Sequence, residues 1–173
     1  MAFADLPSKS EKLTHRYAGI GSRETPPAMM QLMEESARRL ARRGFTLLSG
    51  GAQGADSAFE RGAGDQKTIF YASHATDETR AIAREIHPAP QFLKPYPLNL
   101  MARNTLQIFG RNLDSPVDFV LCWTPDGCEH YSQRTRRTGG TGQAIEMASR
   151  KSIPVINMLH RDWGKRVAQI IGA

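Results

Sequence analysis

FTLLSGGAQGADSAFERGAG, residues 45–64, joins an apolar run to a helical pattern through a glycine pair. FTLLSGG (45–51) is a short apolar run that breaks on a glycine pair, and GADSAFERGAG follows at once with helical character. A buried strand turning on glycine straight into a helix is the repeating unit of an open α/β sheet.

The same alternation extends outward in both directions. Upstream, RYAGIG (16–21) reads as a first strand. The segment after it, PPAMMQLMEESARRLARRG, places Met29, Leu32, Met33, Ser36, Ala37, Leu40 and Ala41 at helical spacing, with prolines at its start and Gly44 at its end. Downstream, KTIFYAS (67–73), PVDFVLCWTP (116–125) and IPVINM (153–158) read as strands. ATDETRAIAREIH (75–87), MARNTLQIFGRNL (101–113), GQAIEMASRK (142–151) and DWGKRVAQIIGA (162–173) read as helices. Four prolines in PAPQFLKPYPLNL (88–100) argue against regular structure in its interior and mark it as a connector or a lid. Apolar, β-branched strands alternating with helices predict a doubly wound, mostly parallel five-stranded sheet with helices on both faces, a Rossmann-like α/β fold. Residues 16–173 are expected to form one domain, and residues 1–15 a flexible lead-in.

Composition narrows the functional classes. The 173 residues are 40% hydrophobic and 23% charged, an ordinary globular balance, and the longest apolar runs are strand-sized. The N-terminus, MAFADLPSKSEKLTHR, has no apolar stretch of the kind a secretory signal needs, so cytoplasmic residence is the default expectation. Cys122 and Cys128 are too few for a disulfide framework or a zinc site; no metal and no cofactor are expected. A net charge of +6 favours polyanionic or phosphorylated partners, although many arginines, as in ARRLARRG (37–44), fall on solvated helix faces. Arg134, Arg136 and Arg137 in SQRTRRTGG stand apart, because they run directly into a second glycine loop, GGTGQAIE (139–146).

In such sheets ligands bind beyond the carboxyl ends of the strands, where strand order reverses. The loops GSRETPP (21–27), SGGAQGAD (49–56), TPDG (124–127) and GGTGQ fall at such positions. Gly21, Ser22, Arg23, Gly50, Gly51 and Gly54 on one side, and Thr138, Gly139, Gly140, Thr141 and Gly142 on the other, are candidate phosphate-binding residues. Glycine lets backbone N–H groups approach an anion, and a helix N-terminus adds partial positive charge. Glycine pairs also serve tight strand-to-helix turns for steric reasons alone. Neither loop is a Walker phosphate loop, nor a dinucleotide fingerprint at the first strand.

YAGIGSRE, LLSGGAQGADSAFERGA, MARN and GGTGQAIEMASRKSIPVINM together resemble the Rossmann-like nucleotide-binding superfamily that unites the DNA-processing protein A (Smf) family with the Lonely guy family. The first half, Ser49 to Asp56, resembles the DNA-processing loop. In the second half Gly139, Gly140, Gly142 and Glu146 match the Lonely guy signature, with Gln143 in place of its threonine. Arg103-Asn104 stands nearest to that family's Arg-Lys pair, so Asn104 joins the phosphate-binding candidates and resembles the DNA-processing side.

The resemblance implies a nucleotide N-glycosidase acting on a nucleoside 5′-monophosphate or related nucleotide, with Glu146, Arg103 and Asp56 as catalytic candidates. A carboxylate near the anomeric carbon would stabilise an oxocarbenium-like state or activate water. Glu146 has the alternative of a solvated acid in a first helical turn, Asp56 that of a helix-start residue and Arg103 that of a surface arginine. Trp123, at the end of a strand, is a candidate for stacking on a base or a core aromatic; Tyr96 invites the same idea. Two other functions compete: a protein that holds single-stranded DNA on the basic rim of Arg134, Arg136 and Arg137, and a non-catalytic sensor of a nucleotide-derived signal. A nucleotide or nucleotide-derived small molecule, or single-stranded DNA, is the expected partner, with no membrane and with a homodimer implied by the relatives.

Overall fold

The computed structural model of the chain describes residues 1–173. Five strands form one wholly parallel sheet: β1 (Arg16–Gly19), β2 (Thr46–Ser49), β3 (Lys67–Ile69), β4 (Phe119–Cys122) and β5 (Val155–Asn157), in the order β3-β2-β1-β4-β5. Six helices cover it: α1 (Pro27–Arg42), α2 (Ala55–Ala63), α3 (Asp77–Ile86), α4 (Pro95–Phe109), α5 (Thr141–Arg150) and α6 (Trp163–Ile171).

Alternation along the strands feeds two cores. Tyr17, Leu47, Phe119 and Leu121 point to one face, against Met33, Ala37 and Leu40 of α1, Phe59 of α2 and Val167 of α6. Their neighbours Ala18, Leu48, Val120 and Cys122 point to the other, against Ile82 of α3, Leu106 and Phe109 of α4 and Ile145 of α5. Consecutive residues of a strand serve opposite faces, so strands apolar throughout are what a sheet covered twice requires. The expected Rossmann-like α/β class is the observed one. None of the helices is long and apolar enough to cross a membrane.

Two segments depart from expectation. The proline-rich segment is not irregular to residue 100: α4 begins at Pro95, with Pro97 inside its first turn. A proline there forfeits only an N–H that has no intrahelical acceptor, so the first turn tolerates it. Residues 1–15, expected to be flexible, are anchored at both ends. Phe3 and Leu6 are buried in the α3/α4/α5 core, Lys9 Nζ pairs with Asp118 at 3.3 Å, and the N–H groups of Thr14 and His15 each donate to the Asp118 carboxylate at 2.8 Å. Asp118, directly before β4, is itself buried and needs those donors.

The strand order reverses between β1 and β4, because β2 and β3 lie to one side of β1 while β4 and β5 lie to the other. The loops after β1 and β4 therefore part at this point, and the sheet opens a crevice at its carboxyl edge.

Candidate functional site

A cleft of about 870 Å³ occupies that crevice. Four segments wall it: Gly21, Ser22 and Arg23 after β1; Gly50, Gly51 and Asp56 after β2; Arg136, Arg137, Gly139, Gly140 and Thr141 before and within α5; and one face of α4. The α4 face is a stripe of Tyr96, Leu100, Arg103 and Gln107, with Met101 and Asn104 beside it. That spacing of three and four residues is one side of a helix. Arginines outnumber carboxylates in the lining by four, Arg23, Arg103, Arg136 and Arg137, to two, Glu24 and Asp56, so the cleft is electropositive.

The floor is made by the glycine loop and α4 pressing together. Arg103 Nη1 donates to the Gly50 carbonyl at 2.6 Å, and a Cβ on Gly50 would lie 2.6 Å from the Arg103 guanidinium carbon and 2.5 Å from Gln107 Nε2. Glycine at 50 is thus a condition of close approach rather than of turn geometry alone. Asp56, 6% exposed, accepts from the Ala52 N–H at 3.2 Å and lies within the field of Arg103. Burial pushes its carboxyl up to about 6 against the pull of Arg103 and the loop N–H groups. Burial in turn holds the Arg103 guanidinium below its ordinary value, opposed by Asp56. Arg103 Nε and Gln107 Oε1 are buried without partners.

The upper wall offers unpaired donors. The N–H groups of Gly140 and Thr141, at the start of α5, make no hydrogen bond within the protein, and the same holds for Gly51. Asp126, in the loop after β4, accepts from the hydroxyls of Thr124, Thr135 and Thr138 and from the Cys128 N–H. It ties both ends of the excursion between β4 and α5 and so holds exposed Arg136 and Arg137 at the rim.

Most of the residues expected at a site converge here. Gly21, Ser22, Arg23, Gly50, Gly51, Asp56, Arg103, Asn104, Arg136, Arg137, Gly139, Gly140 and Thr141 all line the cleft. The others do not. Glu146 lies outside it, 14% exposed, held by Arg134 at 3.1 Å and by Arg150 at 2.9 Å. Arg134 is thereby turned inward, with a second bond to Gln143 Oε1 at 3.4 Å, and does not belong to the basic rim. Gln143 is fully buried and donates to the Ala83 carbonyl at 3.0 Å, clamping α5 to α3. Thr138 is buried on Asp126, Gly142 packs beneath the Arg134 side chain, and Gly54 begins α2 without reaching the cleft. Trp123 is 7% exposed in the α1/α2/α6 core, so it does not stack on a ligand; its carbonyl accepts the Ser22 N–H at 3.0 Å and thereby positions the loop after β1.

Tyr71, Gln107 and Met101 line the cleft without having been singled out in the sequence. Extending the helical period back from Arg103 through Leu100 to Tyr96, and forward to Gln107, would have found the α4 stripe.

Residues 8–89 match the family described as DNA recombination-mediator protein A. Among solved structures, the chain is similar to DNA processing protein A from Helicobacter pylori, whose structure is described as giving insight into that protein's unique single-stranded DNA binding mode. The two are 22% identical, with a TM-score of 0.55 over 90% of this chain and 66% of that one. The chain thus spans just under two thirds of that relative's length. No curated protein matches. The fold is a Rossmann-like parallel sheet related to that of the DNA-processing protein A family.

Proposed function

We propose that the chain binds single-stranded DNA, holding the phosphate backbone across the cleft at the carboxyl edge of the sheet. The observation that carries this reading is the convergence of Arg23, Arg103, Arg136 and Arg137 on a crevice whose walls present the free N–H groups of Gly51, Gly140 and Thr141. Guanidinium groups and oriented backbone N–H groups are the donors that phosphate oxygens select. The match of residues 8–89 to the recombination-mediator family supports the reading, as does the single-stranded DNA binding ascribed to the Helicobacter pylori relative. Fluorescence anisotropy with a labelled oligothymidylate tests it. The wild-type chain is expected to bind, and Arg136→Ala with Arg137→Ala to weaken binding at least about tenfold. An unchanged affinity in that double variant contradicts the reading.

A nucleotide N-glycosidase is the second reading, favoured by one observation: a buried carboxyl, Asp56, raised to about 6 beside Arg103 in the cleft wall. A carboxyl near 6 suits proton transfer at neutral pH. In this version Asp56 takes the part assigned to Glu146, and Arg103 meets the phosphate or the departing base. Release of free base from a panel of ribo- and deoxyribonucleoside monophosphates, abolished in Asp56→Asn, is the expected outcome; binding without turnover removes it.

A further inference from the structure

The cleft carries an aromatic character that phosphate recognition does not use. Tyr71, after β3, and Tyr96, in the first turn of α4, both line it, and they are 49% and 65% exposed. Their place on the walls of one cleft sets them apart from exposed Phe92 and Tyr131, which do not line it.

Tyr71 is held in place. The Tyr71 N–H donates to His74 Nδ1 at 2.9 Å, and the two rings lie 5.8 Å apart at 43°, so the histidine backs the tyrosine. The ring edge stands over Gly51, where an added Cβ would come within 2.8 Å of Tyr71 Cε1. Gly51, at φ +70°, admits the ring beside a free backbone N–H. Tyr96 heads the α4 stripe, on the same helix face as Leu100 and Arg103. A flat apolar surface therefore adjoins an anion-binding surface on two walls of one cleft. At its inner end Gln107, 1% exposed, holds an amide oxygen with no partner.

A ligand that satisfies both surfaces has a planar ring joined through a short spacer to a phosphate. We infer that the cleft takes a nucleotide unit whose unpaired base stacks on Tyr71 and Tyr96 while its phosphate meets the glycine loops and arginines. The inference rests on the single-stranded DNA reading and deepens it: the protein engages bases as well as backbone, tolerant of sequence, because every base has a π-face. A duplex, with its bases already stacked on one another, cannot use the tyrosines. A free mononucleotide shares the chemistry and is distinguished by the test.

Anisotropy is measured on the full chain with labelled oligothymidylate and with a strand of equal length built of abasic units. The wild-type protein is expected to bind the abasic strand about tenfold more weakly. Tyr71→Leu and Tyr96→Leu each lower affinity for oligothymidylate by about fivefold or more and leave the abasic strand unaffected, whereas Tyr71→Trp retains binding. Equal affinity of the wild type for the two strands, or tyrosine variants that weaken both alike, overturns the stacking inference and leaves backbone binding intact. Failure of both strands to bind overturns the single-stranded DNA reading. In that case displacement of a fluorescent nucleotide by thymidine 5′-monophosphate but not by ribose 5-phosphate supports the stacking site with a free nucleotide as ligand, and displacement by neither overturns it.

Discussion

Asp56 sets burial against electrostatic attraction, and its titration decides between them. With a folded value of about 6 against an ordinary 3.8, the native state holds a proton on Asp56 that the unfolded chain has released over that interval. The unfolded state binds fewer protons there, so stability falls as pH rises from about 4 to about 6. A gap of about two pH units corresponds to about 3 kcal/mol. Toward pH 3 the carboxyl becomes neutral in both states and resembles asparagine. Asp56→Asn should therefore approach the wild type near pH 4 and exceed it by up to about 3 kcal/mol at pH 7.5, less whatever the hydrogen bond from the Ala52 N–H loses to an amide acceptor. Urea denaturation of both proteins across pH 4 to 8 reads the difference directly. A difference independent of pH would show that Arg103 and the loop N–H groups cancel burial, and one that turns against the variant as pH rises would show that they outweigh it and that the group is a stabilised carboxylate.

Burial and pairing elsewhere in the fold lead to two further outcomes. Tyr17 is fully buried, and burial pushes its hydroxyl well above the usual phenol range while no partner receives it, so Tyr17→Phe is expected to stabilise by about 1 kcal/mol and to raise the melting temperature by about 2–4 °C in calorimetry. Glu146→Gln should cost about 1–3 kcal/mol, because Arg134, only 12% exposed, loses its charged partner, yet nucleotide or DNA affinity should stay at the wild-type level.

Period-2 and period-3.6 patterns carried most of the fold. Strands such as Phe119–Cys122 are apolar at every position, and only a sheet covered on both faces buries such a run. The glycine loops were legible for the same local reason: Gly50 and Gly51 sit where a strand ends and a helix must begin. What the sequence hid is the relative rotation of packed helices. Glu146 falls one turn past Gly142, yet whether that direction faces the cleft or Arg134 depends on how α5 docks on α3 through Gln143, a contact 60 residues away in the chain. Trp123 follows four wholly buried strand residues and continues their alternation into the core. Tyr96 was obscured by prolines that look like helix breakers and act as a helix start.

The salt dependence of binding reads out whether this cleft holds the phosphates of single-stranded DNA. Neutralising phosphates releases counterions, so log K should fall linearly with log salt at about 0.7 per phosphate contact; four arginines correspond to a slope near −3, and removing Arg136 and Arg137 should reduce its magnitude by about 1.4. Affinity that does not vary with salt, or a slope that the double variant leaves unchanged, contradicts the account.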